Sequence, residues 1–200
     1  MSSTKIKIDK KHHLEQPWRV HTLLPDFDIE DVWLVPITLT KEHSLDLFLS
    51  QFRASNERLT EMGLAGFLFR LRLFLGKVFK WDEKEPVDHL IPGSIRERYA
   101  ESENLKFEDL IDPGTDDFIP VFQLQNEYLS EIENKTVHAA LHLGRVKKGG
   151  DFGIQMAVYV KPKGTFGRLY MKLIQPFRHW IVYPALMKSV KRRWQKYCEQ

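Results

Sequence analysis

The 200-residue chain contains a single cysteine, Cys198, so no intramolecular disulfide can form and a reducing, cytoplasmic setting is expected. It also lacks any run of the roughly 18 uncharged apolar residues that a membrane span requires. The two greasiest stretches, 59–80 and 173–187, are interrupted by Glu61, Arg70, Arg72 and Lys77 in one and by Arg178 and two prolines in the other. No apolar segment follows the charged opening MSSTKIKIDKKHHLEQ, so it does not read as a secretory signal, and 1–16 is expected to be a loose polar lead. There is no Gly-x-Ser-x-Gly elbow, phosphate loop or dinucleotide fingerprint, no internal repeat and no low-complexity tract. A net charge of +3 is too small to point to nucleic acid. No cofactor is implied, and nothing declares an enzyme.

What the chain does have is ordinary globular material. The hydrophobic fraction is 42% and the charged fraction 28%, which argues against disorder and for a single domain over 17–200. Aromatics are plentiful, led by 13 Phe, and must either fill a core or line an apolar pocket; core is the safer reading.

The periodicity changes along the chain. DVWLVPITL (31–39) is β-rich, with Pro36 favouring an edge or a bend. Leu45, Phe48, Leu49 and Phe52 recur at helical spacing behind Ser44, an expected N-cap, and 59–80 reads as a second helix with a broad apolar arc. Residues 81–120 are polar and punctuated, with SIRERYAES (94–102) a short helix at most. Then VFQLQNEYLSEIEN, KTVHAALHLGRV and FGIQMAVYVKP alternate every second residue, predicting an antiparallel meander of three strands. A final helix is expected from 166 to about 198, capped by Thr165. Pro176 and Pro184 each remove an amide and crowd the preceding turn, so a kink or break is expected near both.

The alternation assigns faces. A two-residue turn at Asn134-Lys135 pairs Glu131 with His138 and Glu127 with His142, and sends Tyr128, Leu141, Met156 and Val158 to the opposite, apolar face. A carboxylate that orients an imidazole is half of a general-base site. The blander reading, two cross-strand ion pairs on a solvated face, is preferred. His138 and His142 lie four residues apart on one strand, roughly 13 Å, and cannot share one metal ion. Lys161, Lys163 and Arg168 surround the start of the last helix, where an anion or simply a solvated turn fits. Lys188, Lys191, Arg192, Arg193 and Lys196 beside Met187, Val190 and Trp194 make the end of that helix basic and amphipathic. Such a segment suits an anionic membrane surface, or simply complements the helix dipole.

The order of strand, helices, antiparallel meander and long C-terminal helix resembles the helix-grip (SRPBCC) superfamily, which includes START domains and polyketide cyclases. The segments NKTVHAALHLG and QMAVYVKPKGTFGRLYMKLIQPFRHWIVYPALM look like an uncharacterised bacterial branch of it, with DVWLVPI and PGSIRERY (92–99) in the same pattern. The resemblance implies an α+β fold in which a curved antiparallel sheet grips the C-terminal helix, with a helical insertion over about 40–120. It further implies a cavity between sheet and helix for a small apolar molecule: a lipid, sterol or polyketide. Tyr128, Leu141, Met156, Val158, Tyr170, Phe177 and Ile181 are its expected walls, and each is equally explained as plain core. Three readings stand open: a binder of an apolar ligand, an enzyme acting on one through a Glu/His pair, and a peripheral membrane or partner-binding module. The oligomeric state is not fixed by the sequence.

Overall fold

The computed structural model describes residues 7–51, 93–106, 109–112, 118–133 and 136–199; the helix expected at 59–80 lies outside them. The chain is α+β. Five strands form one antiparallel sheet: β1 (Asp28–Leu34), β2 (Ile119–Gln123), β3 (Glu127–Glu133), β4 (Val137–Lys148) and β5 (Asp151–Pro162), in the order β1-β5-β4-β3-β2. The β-rich first segment is an edge strand, and Pro36 falls just beyond its end, where no ladder amide is needed.

The stretch 121–134, expected as one strand, is broken into β2 and β3 by a reversal at 124–126. There the Leu124 amide donates to the Glu127 carbonyl at 2.7 Å, and the Arg145 amide donates to the carbonyl of Asn126. Phe122 and Leu129, seven residues apart, face the same core while Tyr128 faces the other, so the alternation slips phase across this tight connection.

Helices cover both faces. On one side lie α1 (Lys10–Leu14), α2 (Arg19–Leu23) and, after the helical turn at 45–51 (α3), α4 (Ile95–Glu103). From Ile8 to Gln16 the opening segment is therefore held in place rather than loose. Asp9 caps α1 by accepting from Lys11, the Ile8 amide donates to the Val32 carbonyl, and His13 is fully buried. Ser44 accepts from the Leu47 amide and Ser94 from the Glu97 amide, so α3 and α4 begin on side-chain caps. Trp18, Val20, Leu23, Ile95, Phe122 and Leu129 build the core on this side.

The other face carries α3 and the C-terminal helix, α5 (Gly164–Phe177) continuing through a π turn (Arg178–Val182) into α6 (Tyr183–Cys198). Tyr128, Leu143, Ile154 and Met156 of the sheet meet Tyr183, Met187, Val190 and Trp194. Thr165 does not cap this helix, which starts two residues earlier than expected, on Gly164, with no side-chain cap. Nor do the prolines break it. Pro184 offers no amide to the carbonyl four residues back, and the turn before it widens until the Tyr183 amide donates to the carbonyl of Arg178, five residues back. Gly167 brings α5 tight against the link into β4, since a Cβ there would sit 2.2 Å from the Thr136 carbonyl oxygen.

Candidate functional site

β3 presents Glu127, Leu129 and Glu131 to the face beneath α2 and α4, and β4 presents His138 and His142 beside them. The register is displaced by two residues from the expected one: Glu133 opposes His138 and Leu129 opposes His142. Because the displacement is even, the faces are unchanged and the expected partners meet diagonally. His138 Nε2 lies 2.7 Å from Glu131 and His142 Nε2 lies 3.2 Å from Glu127.

The preferred expectation for this face was wrong in one respect: it is not solvated. Glu127, Glu131, His138 and His142 are all buried, because α1, α2 and α4 lie over them. Each carboxylate also receives the first amides of a helix. Glu131 accepts from Ile95 at 2.8 Å and Arg96 at 3.0 Å, at the start of α4. Glu127 accepts from Arg19 at 2.7 Å and Val20 at 3.4 Å, at the start of α2. A helix N-terminus exposes unsatisfied amides and partial positive charge, so a buried carboxylate is stabilised there from several directions. Chemically, both carboxylates already have full sets of donors, and their first role is to dock helices.

Four residues absent from the sequence-based site extend the cluster. His13 Nδ1 donates to Gln155 Oε1 at 3.1 Å and its Nε2 meets the Tyr159 hydroxyl at 3.0 Å, and that hydroxyl also meets His21 at 3.1 Å. The His13 and His142 rings stand edge to face, 5.0 Å between centroids. Burial, with His142 as neighbour, lowers the pKa of His13 to about 3; burial likewise pulls His142 below its ordinary value, against the raising effect of Glu127. Burial raises the Tyr159 phenol above its ordinary range. Nδ1 of His142 has no hydrogen-bond partner among the described residues. Gln155 and Tyr159 sit on the same side of β5 by strict alternation, which is the signal available in the sequence; His13 and His21 carry none, because their helices are too short to show a period.

A third carboxylate–histidine pair lies on the opposite face. Asp31, fully buried on edge strand β1, meets His179 Nε2 at 2.7 Å and Lys7 Nζ at 2.7 Å. Arg178 donates to Glu30 at 2.7 Å. The π turn places both side chains, and Trp33 and Tyr183 pack beside them.

The expected cavity walls divide. Tyr128 and Met156 are buried in the core under α6. Leu141, Val158 and Tyr170 are partly buried, and Phe177 and Ile181 are exposed at 43% each. An open cleft of about 320 Å³ does lie between sheet and C-terminal helix, farther along. Leu34, Val35, Pro36, Ile37 and Thr38 leave β1 to form one wall, and Lys191, Trp194 and Gln195 of α6 the other, with Lys148 at the rim. The Trp194 indole donates to the Thr38 carbonyl at 3.1 Å and ties the walls together. Near the start of α5, Lys161 pairs with Asp26 at 2.7 Å and Lys163 with Glu133 at 2.6 Å, so neither is held for an anion.

Among known proteins, residues 23–185 match the model of a family described as "Protein of unknown function (DUF2867)". No curated protein and no solved structure matches.

Proposed function

The chain belongs to that family, which brings no activity with it, and we propose from the geometry that the protein binds a small apolar molecule. The site is the cleft between the exit of β1 and α6. The observation that carries this reading is the cleft itself, about 320 Å³, at the lower end of the range small-molecule sites occupy. Its lining has the composition such a site needs. Leu34 and Pro36 supply the accessible apolar surface, with Val35, Ile37 and Trp194 buried behind them, while Lys148 and Lys191 stand where an acidic head group would lie. A lipid-like molecule with a carboxylate or phosphate head fits better than an uncharged sterol, because two ammonium groups at the rim reward a negative charge. A helix-grip ancestry is in keeping with a site between sheet and C-terminal helix. An enzyme built on the Glu127, Glu131, His138 and His142 face has less support, since those groups lie under α2 and α4 on the far side of the sheet.

The test is a titration with a fluorescent fatty-acid analogue. Saturable binding is expected, weakened several-fold by Lys191→Ala and lost in Trp194→Ala if that variant retains the wild-type circular dichroism. Binding that does not saturate, or that is equal in wild type and Lys191→Ala, would refute the assignment.

A further inference from the structure

The outer side of α5 and the π turn carries a row of large apolar side chains facing water. Leu169, Leu173, Phe177 and Trp180 follow one another at spacings of three and four, one line along the helix. Leu169 and Leu173 are more than half exposed, and Trp180 is 80% exposed. The opposite side of the same helix, through Gly167 and Met171, meets the sheet. The row is thus no unfinished core. It is a second apolar face, pointing outward.

Charge decides what covers it. From Gly164 to Cys198 there are eight Lys or Arg and no Asp or Glu. The rest of the chain has 22 Lys or Arg against 27 Asp or Glu, a net charge of −5. The molecule is therefore polarised, with its positive charge gathered on the arm that bears the apolar row. Arg168 and Lys172 flank that row, and Lys188, Lys191, Arg192 and Lys196 continue along the exposed side of α6.

We propose that this arm is a docking surface for an anionic lipid bilayer, with Leu169, Leu173, Phe177 and Trp180 entering the head-group layer and the flanking cations meeting lipid phosphates and carboxylates. A tryptophan left in water on an apolar row is suited to the membrane interface, where its ring is buried and its indole amide stays wet. Each basic residue near an anionic leaflet adds attraction, and an in-plane amphipathic helix of this kind binds by the sum of both effects. The row is a convex ridge, which a fluid surface receives without a matching groove. A second copy of the chain would bring two such cationic arms together, and like charge opposes that pairing. Lys191 is shared with the proposed cleft, but none of the residues varied in the test lines it, and the test requires no ligand there.

Flotation of the full chain with vesicles decides it. Vesicles of phosphatidylcholine mixed with phosphatidylserine should carry the protein upward, and phosphatidylcholine alone should carry much less. Trp180→Ala with Leu173→Ala should reduce partitioning about tenfold or more, and Lys188→Ala with Arg192→Ala should remove the preference for phosphatidylserine. All four positions are exposed, so the variants should melt like wild type. The proposal fails if the wild type ignores phosphatidylserine vesicles at low salt, or if both double variants float as well as it does. It also fails if the row instead holds two chains together, seen as a dimer by light scattering that Trp180→Ala dissolves without any flotation.

Discussion

Single residues carry much of this fold's definition, and Glu131 is the clearest case. Its carboxylate accepts from two α4 amides and from His138, all away from water. Glu131→Gln keeps the shape but removes the charge that three donors face, and should lower stability by about 1–3 kcal/mol in urea unfolding. Glu133→Gln, two residues on and paired with Lys163 nearer the surface, should cost less than about 1 kcal/mol. Equal losses at the two positions would mean that Glu131 does not hold α4. Gly167 offers a second test at this scale. An added Cβ would press on the Thr136 carbonyl at 2.2 Å, whereas one at Gly153 would meet nothing closer than 3.4 Å. Gly167→Ala should therefore destabilise by about 1–3 kcal/mol and Gly153→Ala by distinctly less.

Parity along β3, β4 and β5 is legible in the sequence, because only registers of one parity keep Glu127, Glu131, His138 and His142 off the apolar face. Two things are not legible there. The register depends on the connection before Val137, and an even displacement leaves no mark on the pattern. Nor does alternation reveal that a polar face is buried; that depends on α1 and α2, five residues each, of which KKHHL falls in the expected polar lead and RVHTL is too short to show a period.

At the scale of elements, the joint between α5 and α6 is where sequence and structure part most informatively. Prolines 176 and 184 point to a kink or break, yet the backbone remains helical by widening one turn. That turn aims His179 at Asp31 and Arg178 at Glu30, so β1 and the C-terminal helix are joined by a carboxylate–histidine contact and an ion pair. Removing the buried charge should loosen this joint locally. In Asp31→Asn, amides 178–183 should exchange with solvent faster, while those beyond Met187, packed through Val190 and Trp194, should hardly change. Uniform acceleration along the whole helix would contradict a local joint.

For the whole molecule, the buried imidazoles set an acid limit. His13 is held near about 3 and His142 is also lowered, both chiefly by burial. Between about pH 6.5 and pH 3 the unfolded chain binds protons that the folded chain refuses. Stability should thus be complete above about pH 6.5 and decline as pH falls through that window. The slope should be about 1.4 kcal/mol per pH unit for each histidine that stays neutral in the fold. His13→Gln should flatten the decline by one proton's worth, read from urea midpoints across the window. A decline confined to the carboxylate range below about pH 4 would show that these histidines protonate freely in the folded protein.

Among the described residues, hydrophobic cores lie on both sides of a five-stranded sheet, and a cleft opens where β1 leaves the sheet beside α6. Apolar-ligand binding in that cleft is tested most directly by native mass spectrometry of the gently isolated protein. The account predicts the 23.6 kDa chain together with a species heavier by one small apolar molecule, whose adduct is depleted in Lys191→Ala. A chain of bare mass alone, unchanged after incubation with fatty acids, would contradict it.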